Sequence, residues 1–297
     1  MSDSIDIRAA KHSRVRDYIE LTKSLITWLI IMSTAVGYYF GHTGAWSLWP
    51  LIHTMIGTAL IASGTAALNQ WYECDADRQM RRTQSRPLPA GRLKSIEALW
   101  FGVGLAIVGG LELGLGVNWL SSGLGILTLM VYLFLYTPLK QKTWWSTTVG
   151  AVPGAMPPLI GFAAAADKLT PEACVLGAIL FLWQFPHFYA IAWMYREDYS
   201  RAGIRMLPVV EPGGESTERQ ILFFSTILIP ISLLPKWMGM PGTIYMVGVI
   251  ALGLLFLYSG IRVALDRTKV RSRRVLLASV VYLPVLYALM VLDPIRL

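Results

Sequence analysis

Residues 51–92 read LIHTMIGTALIASGTAALNQWYECDADRQMRRTQSRPLPAGR. Residues 51–68 contain no Asp, Glu, Lys or Arg, and the chain then turns abruptly to three acids followed by arginines. A helix that crosses a bilayer needs about 20 mostly apolar residues. The stretch is therefore typical of a transmembrane helix that ends at a charged membrane surface.

The composition of the whole chain supports this interpretation. Of 297 residues, 55% are hydrophobic and 15% are charged, whereas a soluble domain carries about 25% charged residues. The net charge of +8 is explained by basic loops on the inner side of a membrane, so we expect no nucleic-acid partner. Cys74 and Cys174 offer neither a disulfide framework nor a metal-ligand spacing. The polar N-terminus is not a secretory signal or a transit peptide, which favours a bacterial plasma (inner) membrane.

Hydrophobic runs predict an all-α protein with nine transmembrane helices around a central cavity. A cytoplasmic tail of residues 1–20 precedes a single transmembrane domain, residues 21–292. The fifth run contains Pro153, Pro157 and Pro158, and the seventh is short and contains Pro230. The predicted spans are roughly 21–40, 50–68, 96–115, 119–136, 146–165, 171–192, 220–235, 243–262 and 275–292.

Loop charges alternate along the chain, which supports nine spans. Basic residues crowd the N-terminal tail and the loops after spans two, four, six and eight, whereas the other loops carry little charge. Because cytoplasmic loops carry the excess of Lys and Arg, this pattern predicts a cytoplasmic N-terminus and a periplasmic C-terminus.

Asn69, Glu73 and Asp77 follow one another at intervals of four residues. On a helix each interval turns the side chain by about 40°, so the three would share one face of the helix end. Carboxylate and amide oxygens suit Mg²⁺, which proteins commonly hold with one or two carboxylates and the phosphates of a substrate. We interpret these residues as a catalytic Mg²⁺–diphosphate site. The alternative is a solvated helix end whose arginines only mark the inner side.

Basic side chains near this face are the candidates for binding the diphosphate, because a guanidinium group binds phosphate oxygens through two hydrogen bonds. Lys140 and Lys142 are explained equally well as part of the ordinary excess of positive charge on cytoplasmic loops. The six candidates are Arg78, Arg82, Arg86, Lys140, Lys142 and Arg205.

Two basic loops share the pattern R-x-x-x-R-x-L-P, at residues 82–89 and 201–208. The pattern is short, so chance similarity is an alternative. We interpret it as the trace of a parallel repeat that relates spans one to four with spans five to eight, followed by a ninth helix. The two loops would then face each other over one cavity.

The acid motif resembles the first aspartate-rich motif of the intramembrane UbiA-type prenyltransferase superfamily. Further stretches resemble those of its protoheme IX farnesyltransferase (heme O synthase) branch. These are Asp77–Leu88, Leu21–Lys23, Tyr136–Lys140, Trp183–Phe188 and Asp198–Pro208. Ser24 stands where that branch commonly has proline. Related quinone prenyltransferases have a second pair of acids after span six, where this chain has Tyr195 and Tyr199, with Asp198 out of register.

The resemblance implies transfer of a farnesyl group from farnesyl diphosphate to a vinyl group of protoheme IX (heme B), giving heme O. It implies Mg²⁺ as the cofactor, held by Asn69, Glu73 and Asp77 through the diphosphate. Heme would be a substrate, contacted by His187 and Gln184, although a histidine in a span also serves helix packing. Tyr195, Asp198 and Tyr199 are second-loop candidates. Expected partners are the bilayer and a downstream heme-modifying enzyme or terminal-oxidase assembly.

Three other functions are compatible with parts of the sequence. A quinone-precursor or chlorophyll-type prenyltransferase is the nearest rival, and the 183–188 stretch and the missing second acid pair argue against it. A transporter would have kinked spans and a cavity, but it does not need acids followed by arginines. A lipid-headgroup phosphotransferase would carry a D-G-x-x-A-R pattern, which this sequence lacks.

Overall fold

The computed structural model describes residues 13–45 and 47–294, so residues 1–12 of the predicted tail lie outside the described part. Helices dominate it, and the only β pairing among these residues is one bridge between Pro241 and Pro294. The helices are α1 (Arg14–Leu21), α2 (Ser24–Gly41), α3 (Leu48–Tyr72), α4 (Cys74–Gln79), α5 (Ser95–Gly116), α6 (Trp119–Met130), α7 (Thr137–Leu139), α8 (Ser146–Gly154), α9 (Met156–Ala166), α10 (Pro171–Met194), α11 (Arg196–Arg201), α12 (Leu207–Val210), α13 (Glu215–Trp237), α14 (Thr243–Leu265) and α15 (Lys269–Leu292).

Nine segments of the described chain are long and apolar enough to cross a bilayer, which confirms the predicted number. The protein is therefore a multi-pass membrane protein. Spans one to three are α2, α3 and α5, and spans six to nine are α10, α13, α14 and α15. Spans seven and nine begin several residues before their predicted limits, at Glu215 and Lys269, because each helix opens with a polar turn that hydropathy does not detect.

Spans four and five are composite. Span four joins α6 to α7 through a π-helical turn, Val131–Tyr136. Span five is broken at Ala155, between α8 and α9. Pro153 and Pro157 flank this break, and proline removes a helical hydrogen bond. The prolines noted in the fifth hydrophobic run therefore coincide with a break in the span. Irregular backbone at membrane depth is tolerated where it lines a cavity.

Close backbone contact fixes spans one and five against each other. A methyl group added at Gly161 would overlap the carbonyl oxygen of Thr34, and one added at Gly37 would overlap that of Pro158. Small residues let membrane helices approach to this degree, and packing is what holds such helices together in lipid. A buried cluster that includes Tyr189, Phe256 and Tyr282 joins spans six to nine and extends to Phe162 on span five.

A central cavity of about 310 Å³ lies among spans one, two, four, five and six, with smaller contributions from spans three and nine. It extends from Lys23, where the basic loops emerge, to Leu113 near the far end of span three. We call the end of the bundle that carries these loops the basic end. The cavity brings an apolar space to the charged residues that follow span two.

The two basic loops begin with the same backbone arrangement. Span two ends at Tyr72, Glu73 is non-helical, and the six-residue α4 follows. Span six ends at Met194, Tyr195 is non-helical, and the six-residue α11 follows. This correspondence is compatible with the predicted parallel repeat.

Candidate functional site

Asn69, Glu73 and Asp77, which we call the ladder, do not lie on one continuous helix. The backbone of Glu73 leaves helical geometry, with φ −91° and ψ 10°, so Asn69 lies in the last turn of α3 while Asp77 belongs to α4. The assumption of a single helix face is therefore wrong in detail. Asn69 and Asp77 are nevertheless both buried, because the break turns the chain back toward the bundle and not out into solvent.

Each of the three ladder side chains contacts its own cation. The cations come from different parts of the chain, namely the loop before span one, the loop after span four and the loop after span two. The contacts are Lys23 Nζ to Asn69 Oδ1 at 3.2 Å, Lys140 Nζ to Glu73 Oε1 at 2.7 Å, and Arg86 Nη1 to Asp77 Oδ2 at 2.7 Å. Three acceptors and three cations thus form one compact cluster at the basic end.

Electrostatics keep the middle pair of this cluster charged. Burial alone would lower the pKa of Lys140, but the attraction of Glu73 outweighs it and raises that pKa well above its usual value. Burial alone would raise the pKa of Glu73, but the charge of Lys140 and its hydrogen bond lower it. Lys23 behaves differently. Burial, and then repulsion by Arg86, lower its pKa to about 7, so it lacks a full counter-charge.

Lys23 is a site residue whose role the sequence pattern does not indicate. It lies between α1 and α2 with φ 48° and ψ 51°, a left-handed conformation that is uncommon for a residue other than glycine. This conformation directs the ammonium group to Asn69 and to the mouth of the cavity. The left-handed conformation of a lysine cannot be predicted from a sequence. Residues 21–23 were nevertheless among the stretches that carry the family resemblance.

The second basic loop packs directly on the first. The backbone N–H of Arg82 donates to Asp198 Oδ2 at 3.2 Å. The guanidinium group of Arg82 lies 4.7 Å from the ring centroid of Tyr195 and donates to the hydroxyl of Tyr199 at 3.2 Å. Arg201 pairs with Asp198. The structure thus brings Tyr195, Asp198 and Tyr199 together around Arg82, where Asp198 joins the loops.

Three predicted phosphate ligands stand apart from the cluster. Arg78 pairs with the exposed Asp75 at 3.0 Å. Lys142 is exposed on the loop after span four. Arg205 has an exposed side chain, while its backbone N–H donates to the carbonyl oxygen of Lys140 at 2.8 Å. Positive charge alone does not separate these residues from Arg86 and Lys140, because the difference lies in where the loops turn.

Aromatic rings lie between Lys140 and the apolar cavity. Tyr132 and Tyr136 both lie on the π-helical turn and line the cavity. The ammonium nitrogen of Lys140 lies 4.3 Å from the ring centroid of Tyr136 and 5.9 Å from that of Tyr132. The π-helical turn, a feature that recurs at functional sites, therefore presents two rings between Lys140 and the cavity.

His187 and Gln184 line the same cavity from span six. The side-chain amide of Gln184 donates to the carbonyl oxygens of Ala151 and Leu180, each at 3.0 Å, which leaves its oxygen as the free acceptor. His187 Nδ1 lies 2.8 Å from Ser279 Oγ on span nine. Both predicted heme contacts therefore reach the cavity, and both are held by hydrogen bonds to neighbouring spans.

The residues of the ladder carry few carboxylates. Among the residues that the structure describes, no group of three or more His, Cys, Asp and Glu side chains is placed to hold a metal ion. One carboxylate oxygen is available to a ligand, because Asp77 Oδ1 is buried without a hydrogen-bond partner. Glu73, Asp77 and the Asn69 amide therefore suit a metal that takes its other ligands from a substrate.

Comparison with known proteins identifies the family of this chain. The model of the UbiA prenyltransferase family matches residues 30–283. The protoheme IX farnesyltransferase of Solibacter usitatus (strain Ellin6076) is 64% identical over 94% of this chain and 99% of its own length. The protoheme IX farnesyltransferase of Salinibacter ruber (strain DSM 13855 / M31) is 45% identical, over 93% and 98%.

Solved structures are similar in fold at low identity. A digeranylgeranylglyceryl phosphate synthase is 18% identical with a TM-score of 0.78, over 96% of this chain and 99% of that one. A UbiA homologue from Archaeoglobus fulgidus bound to DMAPP and Mg²⁺ is 16% identical with a TM-score of 0.65, over 93% and 99%. The chain thus belongs to the UbiA prenyltransferase family and, within it, to the protoheme IX farnesyltransferases.

Proposed function

We propose that this protein transfers the farnesyl group of farnesyl diphosphate to a vinyl group of protoheme IX (heme B), releasing diphosphate and making heme O. The observation that carries the proposal is the cluster of Lys23, Lys140 and Arg86 around three oxygen ligands at the mouth of an apolar cavity. This arrangement accommodates a molecule that has a charged head group and an apolar tail.

The diphosphate would bind where the three cations converge. Lys23 has the least compensated charge, so an arriving anion stabilises its ammonium form. Arg86 and Lys140 are already oriented by Asp77 and Glu73. Groups fixed before the substrate arrives stabilise charge in a transition state without the cost of reorientation. Arg82, held between the loops by Asp198 and Tyr199, would cover the head group from the second loop.

Mg²⁺ would be held by Asn69, Glu73 and Asp77 together with diphosphate oxygens. The buried, unpartnered Asp77 Oδ1 supports this assignment. When bound, the metal neutralises charge that develops on the departing diphosphate. Asp198 would lie outside the metal site, because that carboxylate joins the backbone of Arg82 to Arg201.

The prenyl chain would lie in the cavity with its first carbon beside Tyr132 and Tyr136. As the carbon–oxygen bond breaks, the electron pair leaves with the diphosphate and a positive charge develops on the allylic group. An aromatic ring face attracts a cation, so the two tyrosines stabilise this charge on the cavity side. The apolar lining keeps bulk water from the cation, so that the vinyl carbon of heme can attack it.

Heme would enter beside span six, in contact with His187 and with the free oxygen of Gln184. After the vinyl carbon attacks, the charge passes to the carbon next to the porphyrin ring, and water adds there and releases one proton to form the hydroxyl group. The product would pass to a downstream heme-modifying enzyme or terminal-oxidase assembly. The basic end would face the cytoplasm of a bacterial cell, with the N-terminus inside and the C-terminus outside.

The test is mass analysis of products formed by the purified protein in lipid, with Mg²⁺, farnesyl diphosphate and either heme or 4-hydroxybenzoate. We expect a farnesylated, hydrated heme and no prenylated benzoate. The Asp77→Asn variant serves as the inactive control. Prenylation of the benzoate with none of heme would assign the protein to the aromatic prenyltransferases, and no product from either acceptor would overturn the proposal.

A further inference from the structure

Ser279 on span nine contacts the histidine that faces the cavity. His187 Nδ1 lies 2.8 Å from Ser279 Oγ, and Ser279 Oγ donates to the carbonyl oxygen of Leu276 at 2.7 Å. Ser279 is fully buried, so water does not compete for its hydroxyl group. Three atoms therefore form a chain that runs from the imidazole ring to a backbone carbonyl group.

The chemistry of a hydroxyl group gives this chain a direction. A serine hydroxyl has one proton to donate and two lone pairs that accept. Because its proton goes to Leu276, Ser279 Oγ accepts from His187, and Nδ1 carries the ring proton. In the neutral ring Nε2 is then an unprotonated acceptor. Nδ1 points to span nine, so Nε2 is the ring nitrogen left on the cavity side.

Trp183 holds the same ring in place. Its indole ring stacks on the imidazole ring, with centroids 4.8 Å apart and planes inclined by 24°. Its Nε1–H donates to the backbone carbonyl oxygen of Ser279 at 2.9 Å. The imidazole plane is therefore fixed from one face by Trp183 and from one edge by Ser279.

We propose that Ser279 is a positioning residue that fixes the Nδ1–H tautomer of His187, so that Nε2 binds the iron of the heme substrate. Histidines that bind metals almost always donate their other ring N–H to a fixed acceptor, and loss of that acceptor typically costs 10–100-fold in affinity or activity. The inference rests on the proposed function, because it assumes that the cavity receives heme.

Ser279→Ala tests this role without removing the other contacts of span nine. The backbone carbonyl oxygen that accepts from Trp183 remains, and only the hydroxyl group is lost. We expect heme affinity to fall about 10-fold or more, while farnesyl diphosphate affinity stays unchanged. In resonance Raman spectra of ferrous heme, the iron–histidine stretching band should move to lower frequency, because the ligand loses basicity.

Ser272→Ala is the matched control, since Ser272 is a fully buried serine on the same span whose hydroxyl oxygen has no partner. It should change neither the heme spectrum nor the affinity. A double-mutant cycle completes the design. In a His187→Ala background, the Ser279→Ala change should have no further effect on heme affinity, because the ring that it positions is absent.

The outcomes separate this inference from the proposed function. Farnesylation of heme by a wild-type protein whose spectrum lacks a histidine ligand would overturn the inference and leave the proposed function intact. Equal losses from Ser279→Ala with and without His187 would also overturn it, because they would indicate a packing role. A wild-type protein that neither binds nor farnesylates heme would overturn both.

Discussion

Arg86 Nη1 lies 2.7 Å from Asp77 Oδ2, while the second oxygen of the same carboxylate is buried without a hydrogen-bond partner. One side of Asp77 is thus neutralised by a cation from its own loop, and the other is left with its lone pairs unused. A buried acceptor without a partner costs about 1–3 kcal/mol. Such a cost is expected where a site is prepared for a ligand.

The first prediction compares Asp77 with Asp75. Asp77→Asn keeps the shape of the side chain but removes the charge that pairs with Arg86 and would hold Mg²⁺. Metal stabilisation of a leaving oxygen is worth several kcal/mol, and each 1.36 kcal/mol is about tenfold in rate. We expect turnover to fall by roughly 10²-fold or more. The measurement is turnover in lipid against Mg²⁺ concentration, with folding checked.

Asp75→Asn provides the control, because Asp75 is two residues away and carries the same formal charge. Its side chain is 91% exposed, whereas that of Asp77 is 1% exposed. Its turnover should remain near that of the wild type. If the two variants lose turnover equally and without Mg²⁺ dependence, the stretch is a charged helix end and not a catalytic site.

The second prediction concerns Lys140 and Lys142. Lys140→Met removes the partner of the mostly buried Glu73 carboxylate and one cation of the proposed diphosphate site, whereas Lys142 is exposed. Removing one partner of a buried ion pair costs about 3–5 kcal/mol, so both stability and the affinity for farnesyl diphosphate should fall. Lys142→Met should change neither measurably.

Binding isotherms for farnesyl diphosphate and thermal melting curves of both variants in lipid check this expectation. Lys140→Arg keeps the charge and separates the two effects, because it should restore stability more than affinity. Equal affinity for farnesyl diphosphate in Lys140→Met and Lys142→Met would mean that both lysines are only inside markers.

Much of the fold could be predicted, because the hydrophobic stretches and loop charges of a membrane protein follow from one physical constraint. A bilayer forces every span to be long and apolar, so the number of spans was readable. Pro153 and Pro157, which lie beside the break in span five, are visible in the sequence. The early starts of spans seven and nine were not readable, because a polar turn beyond the bilayer resembles a loop.

The site was predictable in its residue types and not in its contacts. Asn69, Glu73 and Asp77 were recognised by their spacing, yet the break at Glu73 depends on tertiary contacts. Lys140 and Lys142 differ only in which way a loop turns, and hydropathy carries no such information. The role of Ser279 was invisible, because it depends on the packing of span nine against span six.

A third prediction tests the close contact of spans one and five. Gly161→Ala would place a methyl group against the carbonyl oxygen of Thr34, which is backbone and cannot turn aside. The spans would have to move apart, so we expect a loss of about 1–3 kcal/mol in stability. Melting temperature in lipid is the measurement.

Gly104→Ala is the control for this change, because it adds the same methyl group at a helical glycine with no heavy atom within 4 Å. Alanine is the better helix former by about 1 kcal/mol, so stability should hold or rise. Equal melting temperatures for the two variants would show that Gly161 does not set the distance between the spans.

The fourth prediction concerns the contact between the basic loops. Arg82→Lys keeps the charge but loses the planar group that lies over Tyr195 and donates to Tyr199. Lysine does not replace arginine at a stacked site. We expect KM for farnesyl diphosphate to rise several-fold while heme affinity is unchanged. An unaltered KM would indicate that only the charge of Arg82 matters.

The last prediction concerns orientation, which the loop charges predict. In a variant without Cys74 and Cys174, single cysteines are placed at Trp237 and at Gln84. Both positions are exposed, at opposite ends of the bundle. Because basic loops stay inside, a membrane-impermeant thiol reagent should label residue 237 in intact cells and residue 84 only after permeabilisation. Labelling of both from the outside, or of residue 84 alone, would contradict the proposed orientation and place the diphosphate site on the other side of the membrane.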